Sequence, residues 1–240
     1  MNKKIILSSF ASLLFLSQVA NSEMKVGNIG TLSATAGVMS QYIYHGVDQN
    51  SDRPSAFASL DFNAPLSFAD FYAGVWTAGA TGNNYGKEVD IYAGFKKNFG
   101  SVSADIGLVE YQYHGDAKDN TLNSVDYYLK LNLSPEKAPY SIGVAYFSND
   151  SKGTRSSGKN IGDYYQEING SYDFGVVKAA ISYGEAHNDT NVTTVTLSKS
   201  LFNLDFALAY IDAQRVGAAG AGSNLDKNRE YLTLTASKTF

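Results

Sequence analysis

The sequence predicts an all-β fold, a transmembrane up-and-down antiparallel β-barrel of about twelve strands, and three observations carry that reading. Strand-like alternation of apolar and polar residues recurs from Leu32 onward at intervals of roughly 15 to 20 residues, with no helical period between. The connections alternate between long polar stretches and short turns, as expected for a meander with loops at one rim and tight turns at the other. The strands run about ten residues, the length that crosses a bilayer at a tilt, and their apolar faces end in Tyr or Phe.

Residues 1–22 read as a secretory signal peptide. Lys3 and Lys4 precede an apolar run from Ile5 to Val19, and Ala20, Asn21 and Ser22 make a small-x-small ending before Glu23. The run is shorter than the roughly 20 residues of a spanning helix. Residues 23–240 are then one barrel domain of an exported protein. Without the leader its 17 basic and 23 acidic residues leave a net charge of −6, which offers nucleic acid no purchase. The absence of cysteine excludes a disulfide framework, so backbone pairing and packing must hold the domain. With 17 Tyr, 13 Phe and 22 Gly against 4 Pro, the composition favours strands and sharp turns.

In chain order the strands begin near Leu32, Ser55, Asp70, Lys87, Ser101, Ser124, Tyr140, Asp163, Val176, Val192, Leu204 and Arg229. Several divide cleanly into faces. Val89, Ile91, Ala93 and Phe95 oppose Glu88, Asp90, Tyr92, Gly94 and Lys96, and Val125, Tyr127, Leu129, Leu131 and Leu133 oppose Asp126, Tyr128, Lys130 and Asn132. Tyr140, Ile142, Val144 and Tyr146 oppose Ser141, Gly143 and Ala145, while Leu204, Phe206, Leu208 and Tyr210 oppose Asp205, Ala207 and Ala209. In FYAGVWTAGA the alternation leaves the face of Trp76 open. Connections 46–53, 80–86, 114–123, 149–162, 186–191 and 212–228 are mostly long, and 63–69, 98–100, 134–139, 173–175 and 200–203 mostly short. Pro65, Pro135 and Pro139 fall in short connections and Pro54 opens a strand, so no ladder loses a donor in mid-strand. Tyr42, Tyr44, Tyr140, Tyr146, Tyr183, Tyr210 and Phe240 lie near strand ends, where a girdle meets headgroups. A soluble sandwich also alternates, but it tends to shorter strands and Greek-key connections.

The final strand, YLTLTASKTF, sets Leu232, Leu234, Ala236 and Phe240 on one face and Tyr231, Thr233, Thr235, Ser237 and Thr239 on the other. It resembles the closing strand of bacterial outer-membrane barrels, in which a terminal Phe after alternating apolar residues is read by the assembly machinery. Lys238 departs from that pattern, and its stem can run along apolar surface to reach water. Earlier in the chain Tyr42, Tyr44 and Gly46, then Pro54, then Tyr72, Ala73, Gly74 and Trp76, then Glu88, Asp90, Tyr92 and Gly94 follow one another in order. Over residues 33–115 and the carboxyl terminus this order resembles the TorF family of porin-like proteins. His45 stands where that family usually carries Arg. The resemblance implies an outer-membrane barrel of channel function in a Gram-negative bacterium.

No constellation points to catalysis, a metal or a cofactor. His45, His114 and His187 each sit at a loop edge, above the first, fifth and ninth strands. A twelve-stranded barrel has a backbone diameter of roughly 24 Å, so histidines a third of the circumference apart share no zinc, whose bonds are about 2 Å long. A ring of imidazoles sensing pH is the other reading of the three. None precedes a Ser by two residues, the spacing of outer-membrane lipases, so no enzyme is expected. Asp48 with Asp52, and Asp116, Asp119 and Asn120, lack the glycine and terminal glutamate of a calcium loop.

The face opposite the apolar stripe carries Glu88, Asp90, Asp105, Asp126, Glu167 and Asp205 against Lys96, Lys130 and Lys178. If these line water, the field favours cations; the alternative is that acids and bases pair across strands and plug the interior. Arg53, Arg155, Arg215 and Arg229 lie in or beside the long loops, where anionic lipopolysaccharide or anionic solutes are the contacts to expect. The expectation is a passive channel for small hydrophilic solutes or ions in the outer-membrane lipid, with a closed surface barrel acting as an adhesin through loops 149–162 and 212–228 as the rival.

Overall fold

The structure, a computed structural model, describes residues 23–80, 86–115, 123–149, 164–186, 190–215 and 228–240. Twelve of its strands form the barrel wall: β1 (Gly30–Met39), β2 (Ser55–Pro65), β3 (Asp70–Ala78), β4 (Lys87–Phe99), β5 (Val102–His114), β6 (Ser124–Leu133), β7 (Tyr140–Asn149), β8 (Tyr164–Asp173), β9 (Lys178–Ala186), β10 (Thr190–Leu201), β11 (Leu204–Arg215) and β12 (Arg229–Thr239). Each begins within two residues of the position read from the alternation. Every consecutive pair is antiparallel, and β12 returns to pair with β1, so the sheet is closed. The residues assigned to the leader lie outside those described.

The seam is made by the two ends of the barrel sequence. Thr235 to Thr239 pair with Met39 to Thr35, and Phe240 and Ala34 exchange backbone hydrogen bonds at 2.7 and 3.1 Å. Below that point β1 would present a bare edge, and the short strand Met24–Val26 covers it by pairing with Gly30 to Leu32. The Phe240 ring faces outward, and the Lys238 ammonium lies 5.0 Å from its centroid, so the charge near the end of this stripe is spent against an aromatic face.

The exterior is apolar all the way round. Val38, Leu60, Val75, Ile91, Ile106 and Leu129 expose themselves on β1 to β6, and β7 to β12 do the same with residues such as Ile168, Leu208 and Leu234. Tyr140, Tyr146, Tyr183 and Tyr210 are also outward. An outward stripe that no second sheet covers is stable only in lipid, which is what separates this barrel from a sandwich. Leu234 sits mid-strand, opposite Leu208. Leu234→Arg is expected to lower stability by about 2 to 4 kcal/mol in lipid vesicles, read from urea unfolding; an unchanged midpoint would contradict the outward placement.

The first connection departs from the expectation. β1 ends at Met39, and YIYHG does not prolong it. Ile43–Tyr44 and Val47–Asp48 instead form a small hairpin, with Ile43 opposite Asp48 and Tyr44 opposite Val47. His45 (φ 46°) and Gly46 (φ 78°) are its two turn residues, and positive φ at both gives a type I′ turn, the turn whose twist matches a tight hairpin. The connection therefore runs over 40–54. Tyr42 and Tyr44, expected in the outer girdle, are inside the barrel.

Candidate lumen and constriction

The inner face is built in two halves. On β9 to β12 and β1 it is largely Ser, Thr and Ala: Ser182, Thr194, Thr196, Thr233 and Thr235 are all buried. On β2 to β8 it carries most of the charges and of the tyrosines. The wall between Tyr72 and Tyr92 shows why. Tyr72 lies opposite Gly94 in register and Tyr92 opposite Gly74. A Cβ at Gly74 would sit 2.6 Å from the Tyr92 ring, and one at Gly94 2.5 Å from Tyr72 Cζ and 2.7 Å from the Ile106 carbonyl oxygen. Each ring lies over the glycine of its neighbour, and the same arrangement sets Tyr128 over Gly107 and Tyr165 over Gly184. The Tyr-Ala-Gly motif thus has a packing cause: it lays phenols flat along the wall with their hydroxyls aimed sideways.

Those hydroxyls meet the acids. Tyr72 donates to Asp105 Oδ1 at 2.6 Å and accepts from Tyr128. Tyr111 donates to Asp126 Oδ2 at 3.3 Å and accepts from Tyr44 at 2.6 Å. Tyr92 donates to Asp61, Tyr42 to Glu88 Oε1 at 3.1 Å, and Tyr165 to Glu167 Oε2 at 3.3 Å. Lysine is placed differently. Register sets Asp105 directly between Lys96 of β4 and Lys130 of β6, towards the short-turn end. The Lys130 ammonium also lies 4.7 Å from the Tyr128 ring centroid and 5.3 Å from that of Phe147. Glu88, Asp90 and Asp126 sit near the long-loop rim, six residues or about 20 Å along β4 from Lys96 in the case of Asp90.

All nine charged residues read from the alternation, Glu88, Asp90, Lys96, Asp105, Asp126, Lys130, Glu167, Lys178 and Asp205, stand on the inner face. Asp205 bonds the Ser200 hydroxyl near the short-turn rim, and Lys178 is opposite Asp173 and Ser198. Trp76, whose face was open, also points inward, opposite Asp90 and Ser59, and packs 5.4 Å from the Tyr42 ring. Sequence reading missed Asp61 and the pairing of acids with tyrosines. The signal was present as Tyr-x-Gly on neighbouring strands.

The hairpin of residues 40–54 crosses this lumen. Tyr42 reaches Glu88 on β4 and Tyr44 reaches Tyr111 on β5. The His45 ring stacks on Tyr165 of β8 at 3.6 Å and 11°, with Phe147 of β7 at 5.4 Å. A Cβ on Gly46 would stand 2.7 Å from Val192 of β10 and 2.9 Å from Ala213 of β11. In a ring of twelve, β5 and β11 are six strands apart, so one short hairpin touches diametrically opposite walls. Ile43, 2% exposed, is buried with Val192, Ala209, Ile211 and Tyr231. At the root, Asp48 accepts the Asn50 and Asp52 N–H groups at 2.8 and 2.6 Å, which commits its carboxylate to loop shape.

His45 is therefore not a loop-edge residue. Two positive-φ turn positions fold it inward, and burial, with the Lys130 charge, pushes its imidazole down to about 3, so it is neutral throughout pH 5 to 8. His114 is exposed at the end of β5, and His187 lies outside the described residues, as do Arg155, Asp116, Asp119 and Asn120. Arg53 and Arg229 are exposed beside the long connections. Among the described residues no three His, Cys, Asp or Glu side chains are placed to hold a metal ion.

Twelve closed antiparallel strands, apolar outside and polar within, define a porin-like β-barrel. The chain belongs to the bacterial family Gcw_chp, described as a protein of unknown function, whose model matches residues 26–240. Among curated proteins nothing matches the sequence. Among solved structures the fold is similar to the KdgM porin (12% identity, 87% of this chain and 98% of that one, TM-score 0.54) and the NanC porin (11%, 87% and 98%, 0.53). It is equally similar to an outer-membrane channel from Pseudomonas putida F1 (13%, 94% and 100%, 0.54). At these identities the likeness is one of fold.

Proposed function

We propose that the protein is an outer-membrane channel for passive diffusion of small hydrophilic solutes or ions, mildly selective for cations, and not an enzyme. The observation that carries the selectivity is the pairing of lumen acids with tyrosine hydroxyls. A neutral donor satisfies a carboxylate without cancelling its charge, so the inner face keeps an excess of acids over Lys96, Lys130 and Lys178. The fold shared with porins and the order of motifs resembling the TorF family support the channel reading. Residues 1–22 are then the export signal, the strand ending at Phe240 the segment read by the assembly machinery, and Arg53 and Arg229 contacts for lipopolysaccharide around a barrel bathed in outer-membrane lipid.

The hairpin across the lumen favours one rival, a closed barrel presenting its long loops at the cell surface. Folded protein in a planar bilayer decides between them. The channel reading expects conductance steps and, across a tenfold KCl gradient, a reversal potential of the sign set by potassium. Absence of steps favours the closed barrel, and a chloride-signed potential removes the cation preference.

A further inference from the structure

At the level where the hairpin spans the barrel, Asp126 is tied to it through Tyr111 and Tyr44, and two further acids, Glu88 and Asp90, each keep a buried oxygen that no other protein donor reaches. Glu88 and Asp90 follow one another on the inner face of β4, 1% and 4% exposed. Glu88 Oε2 and Asp90 Oδ1 are buried with no donor from the rest of the protein; Glu88 Oε1 accepts from Tyr42 of the hairpin, and the two carboxyl groups lie within hydrogen-bond reach of each other. Buried carboxylate oxygens are nearly always satisfied, so two neighbouring inward acids that no other donor reaches carry a standing cost, which a proton shared between them offsets in part and a cation would remove. In register Asp90 faces Tyr111, the residue on which Tyr44 rests, and Trp76 on its other side. Aromatic faces beside carboxylates are the surroundings in which a poorly hydrated cation is held.

We propose that the level at which the hairpin crosses the lumen is the selectivity filter of the channel, and that Glu88 and Asp90 are the charges that admit cations there. The inference rests on the channel reading and deepens it by assigning the preference to two residues. The hairpin supplies the narrowing, and Tyr42, bonded to Glu88, seats its root against the stretch of β4 that carries the two acids. Charge at the narrowest level weighs most, because fewer waters screen it and the ion has no path around it. Acids elsewhere on the inner face, such as Asp205 near the short-turn rim, bias the field weakly.

The test is the reversal potential of folded protein in planar bilayers across a KCl gradient, for wild type, Glu88→Gln, Asp90→Asn, the double variant and Asp205→Asn, each first shown to fold by heat-modifiable migration. The double variant is expected to lower the potassium-to-chloride permeability ratio by about threefold or more, with Asp205→Asn nearly unchanged. The singles keep the test usable should the double variant fail to fold, since each swaps one oxygen for an isosteric amide. An equal shift from Asp205→Asn, or no shift from either filter residue, overturns the assignment while leaving the channel standing. A wild-type protein that makes no channel sinks the transport reading and the filter with it.

Discussion

Replacing residues 42–48 by a short Gly-Ser link is expected to raise single-channel conductance about threefold or more. A twelve-stranded wall has a backbone diameter of roughly 24 Å, and inward side chains of about 5 Å on each side leave a clear width of about 14 Å. A two-stranded hairpin with its own side chains is about 10 Å across. Contacts from Tyr44 on β5 to Gly46 at β11 show that it lies across this opening rather than along one side. The barrel itself should survive, because its closure depends on the ladder from Thr35 to Met39 with β12 and on the pairing of β1 with β2, neither of which uses the replaced residues. Step size and the rate of liposome swelling in a neutral sugar both report the change. A conductance equal to wild type would place the narrowing elsewhere.

The wall and the hairpin differ in how well the sequence announces them. A strand in lipid has one face that must be apolar over ten residues, so Val125 to Leu133 or Leu204 to Tyr210 can be divided without knowing any partner. Trp76 defeats that logic, because FYAGVWTAGA has small or apolar residues on both faces and only the register with Asp90 and Ser59 settles which is inner. YIYHG defeats it for the opposite reason. Tyr42 and Tyr44 alternate like strand residues, and the two rings are long enough to serve in either an outer girdle or an inner contact. The distinguishing fact is backbone: His45 takes positive φ beside Gly46, and a β-strand cannot hold it. His-Gly is a weaker turn signal than Asn-Gly, which is why it passed as a strand end. The lumen acids were legible as residues and illegible as a network, since tyrosine pairing depends on which strand lies beside which.

That dependence makes the glycines under the rings a second place of large effect. Gly94→Ala is expected to lower stability by about 3 to 5 kcal/mol, from overpacking and from loss of a hydrogen bond to a buried carboxylate. The new methyl group would fall on the hydroxyl end of Tyr72 and against the Ile106 carbonyl, whose backbone position is held by the ladder with Phe95. Tyr72 must move, and its hydroxyl is the link between Tyr128 and Asp105. Gly170 is the matched control. It too is a mid-strand glycine, on β8, but a Cβ there would meet nothing closer than the Ser141 carbonyl at 3.7 Å, so Gly170→Ala should leave the urea midpoint almost unchanged. Removing the ring should relieve the clash, so in the background of Tyr72→Ala the further cost of Gly94→Ala is expected to fall to about 1 kcal/mol or less, the residue set by the Ile106 carbonyl. A full cost that persists without the ring would mean that glycine serves the backbone there and that the tyrosine merely happens to lie above it.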